Sequence, residues 1–161
     1  MPGMICNELP TNCNIANDNP QIAPGSSFTY RFRADQYGTS WYHSHYSAQY
    51  ADGLFGAMII YGPLENANYD VDLGPILIND WYHDDYHNLI GREMAPISAH
   101  ARPPFSQNVL INGKMNYPCA NVTSGAKCTP NAGVSKFQFK SGKKYRLRLI
   151  NSGAAAMQKF R

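Results

Sequence analysis

The sequence predicts an all-β protein built as a β-sandwich, and three observations carry that prediction. Its 161 residues include eleven tyrosines, seven phenylalanines, eleven prolines and thirteen glycines, the composition of many short strands joined by turns. Apolar residues make up 43% and charged residues 16%, which suits a packed core and not a disordered chain. Runs that alternate apolar and polar residues recur between turn signals, the pattern of half-buried strands. The length fits one domain or parts of two.

Residues 1–20 are polar and Asn-rich, follow no period of 2 or 3.6, and read as an atypical segment outside the fold. Ile22-Ala23-Pro24-Gly25 makes a turn, after which Phe28, Tyr30 and Phe32 alternate with Thr29, Arg31 and Arg33 as a half-buried strand. Gln36-Tyr37-Gly38 returns the chain into a strand that carries His43 and His45, and Asp52-Gly53 is the next turn. Residues 57–61 are a continuous apolar strand stopped by Gly62-Pro63. Residues 21–63 therefore read as consecutive antiparallel strands of one sandwich.

Residues 64–72 are a polar linker and the expected boundary, and residues 73–161 open a second unit with a strand over 76–82. His83 and His87 follow at i, i+4 and would share a helix face, but Asp84 stands where a zinc-protease H-E-x-x-H needs glutamate, so that reading fails. Residues 95–106, with Pro96, Pro103 and Pro104, form a loop on which His100 is exposed. A strand over 108–111 ends in the hairpin-type turn Asn112-Gly113. Residues 136–140 and 144–150 pair as a hairpin through Ser141-Gly142, with Lys144, Arg146 and Arg148 on its wet face. Gly25, Phe28, Tyr30, Arg31 and Phe32 match Gly142, Tyr145, Leu147, Arg148 and Leu149, so the two segments are expected to hold one position in two copies of a sandwich.

The net charge of +3 hides an uneven layout, with ten acids against two bases in residues 1–91 and one acid against twelve bases in residues 92–161. A basic half raises a nucleic-acid partner. Strand alternation explains those lysines and arginines better, so no nucleic acid is expected. No window reaches the roughly eighteen apolar residues of a membrane span, and the first residues lack the basic and apolar regions of a secretory signal.

Four cysteines stand at 6, 13, 119 and 128, with no C-x-x-C among them, which removes zinc-ribbon and thioredoxin readings. Cys119 and Cys128 bracket a short loop that a local disulfide could close, and Asn121-Val122-Thr123 is a glycosylation sequon. Together they favour an oxidising, extracellular setting.

The chemistry concentrates in His43-Ser44-His45. On an extended strand, imidazoles at i and i+2 point the same way, about 6.5 to 7 Å apart at their Cα atoms. That is wide for one ion and suited to giving one nitrogen to each of two neighbouring metals. Imidazole suits copper, zinc, iron and nickel, and copper binds most tightly among these divalent ions. A bare His-x-His can equally be a packed or surface pair, and its surroundings decide between the two.

Those surroundings run from Gly38 to Gly56: Gly38-Thr39-Ser40-Trp41-Tyr42-His43-Ser44-His45, then Gln49, Asp52-Gly53-Leu54 and Gly56. The run resembles the second copper signature of the multicopper oxidases, and more narrowly that of fungal, ascomycete-like laccases. The resemblance extends over residues 21–161, with Asn112-Gly113-Lys114-Met115-Asn116-Tyr117-Pro118-Cys119 and the Asp80-Trp81-Tyr82-His83 opening of the second unit adding to it.

It implies a cupredoxin-like, Greek-key β-sandwich fold in parts of two consecutive domains. Residues 21–63 would be the C-terminal part of the first domain, and residues 73–161 the N-terminal part of a second, metal-free one. It implies a secreted oxidase that takes single electrons from phenols or aromatic amines and reduces dioxygen to water at a trinuclear copper cluster. His43 and His45 would each ligate one type 3 copper. Asp52 and Gln49 would belong to the signature without ligating, Asp52 either orienting groups around the ligands or moving protons, or more simply making the Asp-Gly turn. Trp41 and Tyr42 read as packing residues.

The cluster needs eight histidines in four signatures, and this chain holds two of them. The chain is therefore expected to be an incomplete piece that, alone, neither holds the cluster nor oxidises phenols. The family's His-Trp-His-Gly signature does not precede Ile22, and Pro20-Gln21 stand where laccases have Cys-Pro. The rivals are a non-catalytic copper-binding or electron-transfer module, and a ferroxidase or ascorbate-oxidase relative within the family.

Overall fold

The computed structural model describes residues 22–63, 68–94, 104–122, 125 and 127–161. Strand β1 (Gly38–His43) pairs antiparallel with β2 (Phe55–Ile60), from Gly38 opposite Ile60 to His43 opposite Phe55. The ladder runs one residue further, since the Ser44 amide donates to the Leu54 carbonyl at 2.9 Å. Between the strands a 3-10 turn, Gln49–Asp52, ends on Gly53 at φ 92°, a left-handed conformation costly for any other residue. A side chain at Gly53 would also press on the Trp81 ring, its Cβ 3.3 Å from that ring. Gly56 faces Tyr42 across the ladder, and the Tyr42 ring occupies the space a Cβ on Gly56 would need.

The second sheet has the order β4-β3-β5. Its centre is β3 (Val71–Trp81), with β4 (Asn108–Ile111) antiparallel on one side and β5 (Tyr145–Asn151) parallel on the other. Helix α1 (Tyr86–Glu93) follows β3, and the Asp85 side chain caps it by accepting from the Asn88 amide at 3.0 Å. The buried apolar side chains Ile76, Tyr82, Tyr86, Leu89 and Ile150 come from β3 and the segment after it, α1 and β5, so the core lies where these meet. The Asn112-Gly113 turn is as expected, with both residues at positive φ (48° and 74°) and a bridge from Ile111 to Lys114.

Several expectations are corrected. Residues 28–33 form no ladder with any described strand, and Phe28, Tyr30 and Phe32 are all exposed. Alternation sets the face of a strand, but pairing needs a neighbour, and none lies alongside among the described residues. The strand over 76–82 starts earlier, at Val71, because a register shift between Asp72 and Pro75 lets the sheet accept a proline. Residues 136–140 are not a strand, so the predicted hairpin is absent; β5 instead lies along β3. Arg148 does not sit on the wet face. It is 2% exposed, while Leu149 is 42% exposed, because Asp72 and Thr39 receive the guanidinium inside. The repeat has a partial counterpart: Gly25 and Gly142 share left-handed φ values of 76° and 78°, but only the second is followed by a strand.

Candidate metal centre

His43 ends β1, and His45 follows in the turn, with Ser44 between them. The ladder bond from the Ser44 amide keeps the alternation going, so the Ser44 side chain is fully buried on one face and the two imidazoles stand together on the other. Their ring centroids are 6.1 Å apart and the planes are tilted by 31°. His43 is half-buried, stacked on Trp41 at 4.5 Å and against Tyr50 at 5.2 Å, while His45 is exposed.

One hydrogen bond fixes the chemistry of His43. Its Nδ1 lies 2.9 Å from the Ser44 carbonyl oxygen, which can only accept, so the proton sits on Nδ1 and Nε2 carries the lone pair. That is the arrangement of a metal-ligating histidine, whose other ring nitrogen donates to a nearby acceptor. The neighbouring turn is held by the Ser44 hydroxyl, which donates to Gln49 Oε1 at 2.7 Å and accepts from the Tyr46 amide at 3.2 Å. Sequence reasoning placed Gln49 in the signature without a task. Its task is to accept the proton of that buried hydroxyl.

An open cavity of about 240 Å³ lies against the pair, lined by Trp41, His43, Ser44, His45, Ser47, Tyr50 and Gly153. Gly153 belongs to the loop after β5, more than a hundred residues along the chain, and no sequence signal placed it here. That loop is tied down by Asp80, 3% exposed, which accepts from the amides of Ala154, Ala155 and Ala156. The Tyr82 hydroxyl also donates to Asp80, at 3.3 Å, and burial followed by the nearby carboxylate pushes its pKa up to about 12.

The other candidates stand apart from this pair. Asp52 accepts from the Tyr86 amide at 3.3 Å, so its carboxylate is turned toward the start of α1. Cys119 and Cys128 are disulfide-bonded, with Cα atoms 5.7 Å apart, and Asn121 is exposed on the 3-10 turn Cys119–Asn121. His83 precedes α1, its Nε2 donating to Asn108 Oδ1 at 3.0 Å, whereas His87 lies on the helix; the two do not share its face. His100, Cys6 and Cys13 lie outside the described residues. Among the described residues no group of three or more His, Cys, Asp or Glu side chains is placed to hold a metal, and no helix is long and apolar enough to cross a membrane.

Two separate multicopper oxidase family models match, one over residues 14–65 and the other over residues 72–161, and the second alone spans more than half of the chain. The chain belongs to the multicopper oxidase family. Laccase-2 of Botryotinia fuckeliana is 47% identical over 132 residues, covering 82% of this chain and 22% of that protein. A point mutant of the laccase from Botrytis aclada superposes with a TM-score of 0.67 at 44% identity, over 83% of this chain and 23% of the other. Fet3p, a multicopper oxidase that functions in iron import, superposes at 0.62 and 31% identity, again over 83% of this chain and 22% of its own. The expected all-β, cupredoxin-like architecture is thus the observed one. The chain spans about a fifth of the length of the curated relatives it matches. Family membership brings copper as the metal, and a pair of imidazoles with one lone pair already directed by its tautomer fits that metal.

Proposed function

We propose that this chain is a segment of a laccase-type multicopper oxidase, in which His43 and His45 each give one nitrogen to one of two type 3 coppers of a trinuclear cluster. The observation that carries the reading is the tautomer of His43, fixed by the Ser44 carbonyl beside a second imidazole 6.1 Å away. When bound, the copper cluster supplies the chemistry: single electrons taken from phenols or aromatic amines reduce dioxygen to water. The chain's own residues hold and orient. Ser44 and Gln49 keep the turn closed, Trp41 and Tyr50 flank His43, and Gly153 bounds the open side.

The proposed division places a first domain over 21–63, a linker over 64–72 and a second, metal-free domain over 73–161, with residues 1–20 outside the fold. The separate family matches ending at 65 and starting at 72 support the boundary, although the first already begins at residue 14. The Cys119–Cys128 bridge and the exposed Asn121 sequon support an extracellular location with N-glycosylation at Asn121. Likeness to Fet3p keeps an iron donor as the second reading, with the higher identity to laccases favouring phenols.

The test is copper content and spectroscopy on the complete gene product. His43→Ala and His45→Ala are each expected to abolish the coupled copper pair and oxygen uptake with a phenol. An intact pair in the doubly substituted protein would end the proposal. Turnover with ferrous iron and none with phenols would favour the second reading, and copper bound without oxygen uptake would favour a non-catalytic module. The isolated 161-residue chain is expected to show no phenol oxidation and to aggregate, since Phe28 and Phe32 are both more than half exposed (54% and 57%).

A further inference from the structure

We propose that Asp80 is a positioning residue for the histidine cavity, acting through the loop 153–156; this rests on the copper reading above. A buried carboxylate is costly unless its acceptor sites are filled. Asp80 Oδ1 accepts from Ala154 at 2.7 Å, and Oδ2 accepts from Ala155 at 2.9 Å, Ala156 at 2.8 Å and the Tyr82 hydroxyl at 3.3 Å. Three successive amides gathered on one anion form a concave backbone nest. Here the anion belongs to β3 and the nest to the loop it holds.

The loop has no side chains with which to hold itself, being Gly153-Ala154-Ala155-Ala156. Its entry is also tied by two hydrogen bonds, the Ser152 amide donating to the Ile78 carbonyl at 2.9 Å and the Gly153 amide to the Asn151 side-chain Oδ1 at 3.0 Å. Gly153 is fixed between these and the Asp80 bonds, and it is the part of the second unit that lines the cavity beside His43 and His45. There is little slack. A Cβ on Gly153 would stand 3.2 Å from the Ala156 carbonyl, 3.2 Å from Asn151 Oδ1 and 3.3 Å from Asp80 Oδ1, so a methyl group must displace the wall or the carboxylate. Asp80 therefore sets where the wall stands, and the wall sets the space on the open side of the two imidazoles.

The experiment uses the complete gene product with Asp80→Asn and, separately, Gly153→Ala. The first places an amide NH₂ against backbone donors, and the second shifts the loop while leaving the carboxylate intact. Copper per protein, the rate of copper loss to a chelator, the KM for dioxygen and kcat are compared well below each melting temperature. Both variants are expected to lose copper about tenfold faster, the usual scale for groups that orient metal ligands, with faster hydrogen exchange at 153–156. A lower melting temperature with copper loss and KM unchanged would make Asp80 merely structural and overturn the proposal. Should Asp80→Asn fail to fold, Gly153→Ala decides alone, and unchanged copper retention in it overturns the proposal. If the protein with Asp80 and Gly153 unchanged keeps the same copper after His43→Ala and His45→Ala, the copper reading itself falls and takes this one with it.

Discussion

A guanidinium shows what a single residue does in this fold. Arg148 is inside, its side chain 1% exposed, where Nε and Nη2 donate to Asp72 Oδ2 at 2.7 and 2.6 Å and Nη1 donates to Thr39 Oγ1 at 2.9 Å. Its charge also lies over the Tyr61 ring, 5.4 Å from the centroid. The hydrogen bond from Arg148 holds the Asp72 carboxyl below its usual value of 3.8, against the opposing effect of partial burial. A lowered folded-state pKa stabilises the fold above the unfolded value, and that contribution is lost as pH falls through the lower folded value. The melting temperature of the complete protein should therefore fall, as pH drops below about 4, by more than that of Asp72→Asn. Asp72→Ala at neutral pH takes from the buried guanidinium the carboxylate that Nε and Nη2 share, and should lower stability, readable by thermal or urea unfolding. Parallel pH curves for the two proteins would show that the pair contributes nothing.

At the scale of elements, whatever was encoded within a few residues was legible in the sequence. Asn112-Gly113 announces its turn because both residues tolerate positive φ, and Asp52-Gly53 does so through Gly53, which ends its turn at φ 92°. The β1 strand and its paired histidines follow from a period of two. Pairing between distant segments was not legible. Arg148 alternates correctly with its neighbours, but its phase is set by Asp72 and Thr39, 76 and 109 residues away. Asp80 reads as an ordinary acid in a strand until the loop 74–76 residues later closes on it. The loop bracketed by Cys119 and Cys128 lies at the legible end, at a separation of 9 residues. Closing a loop that short should stabilise the fold by about 2.5 kcal/mol through the unfolded chain. Replacing both cysteines with serine should lower stability by about that amount and raise hydrogen exchange at 115–122, with His43 and His45 unaffected. Unchanged stability would mean that the native contacts of the loop already do the work of the bridge.

Across the whole molecule, the β4-β3-β5 sheet and helix α1 grip the histidine-bearing hairpin at both ends. Arg148 holds Thr39 at the start of β1, and the Trp81 ring covers Gly53 beyond the turn. The start of α1 meets Asp52 through the Tyr86 amide, and Gly153 closes the cavity between these grips. A two-stranded ribbon is marginal alone in water, so this hairpin takes its order from what it packs against. The two units should accordingly lose structure together. Arg148→Met keeps an apolar stem while removing the bonds to both Thr39 and Asp72, and Asp52→Ala removes the bond to α1. Each should raise amide exchange across β1 and β2 more than across β3, which retains its β4 and β5 partners. Combining them should lower hairpin protection by at least the sum of the two single effects, since the grips act at opposite ends of one element. Exchange measured residue by residue on the complete protein provides the check. Equal loosening of both sheets would mean that the hairpin does not depend on these grips, and the second sheet would then lie beside His43 and His45 without supporting them.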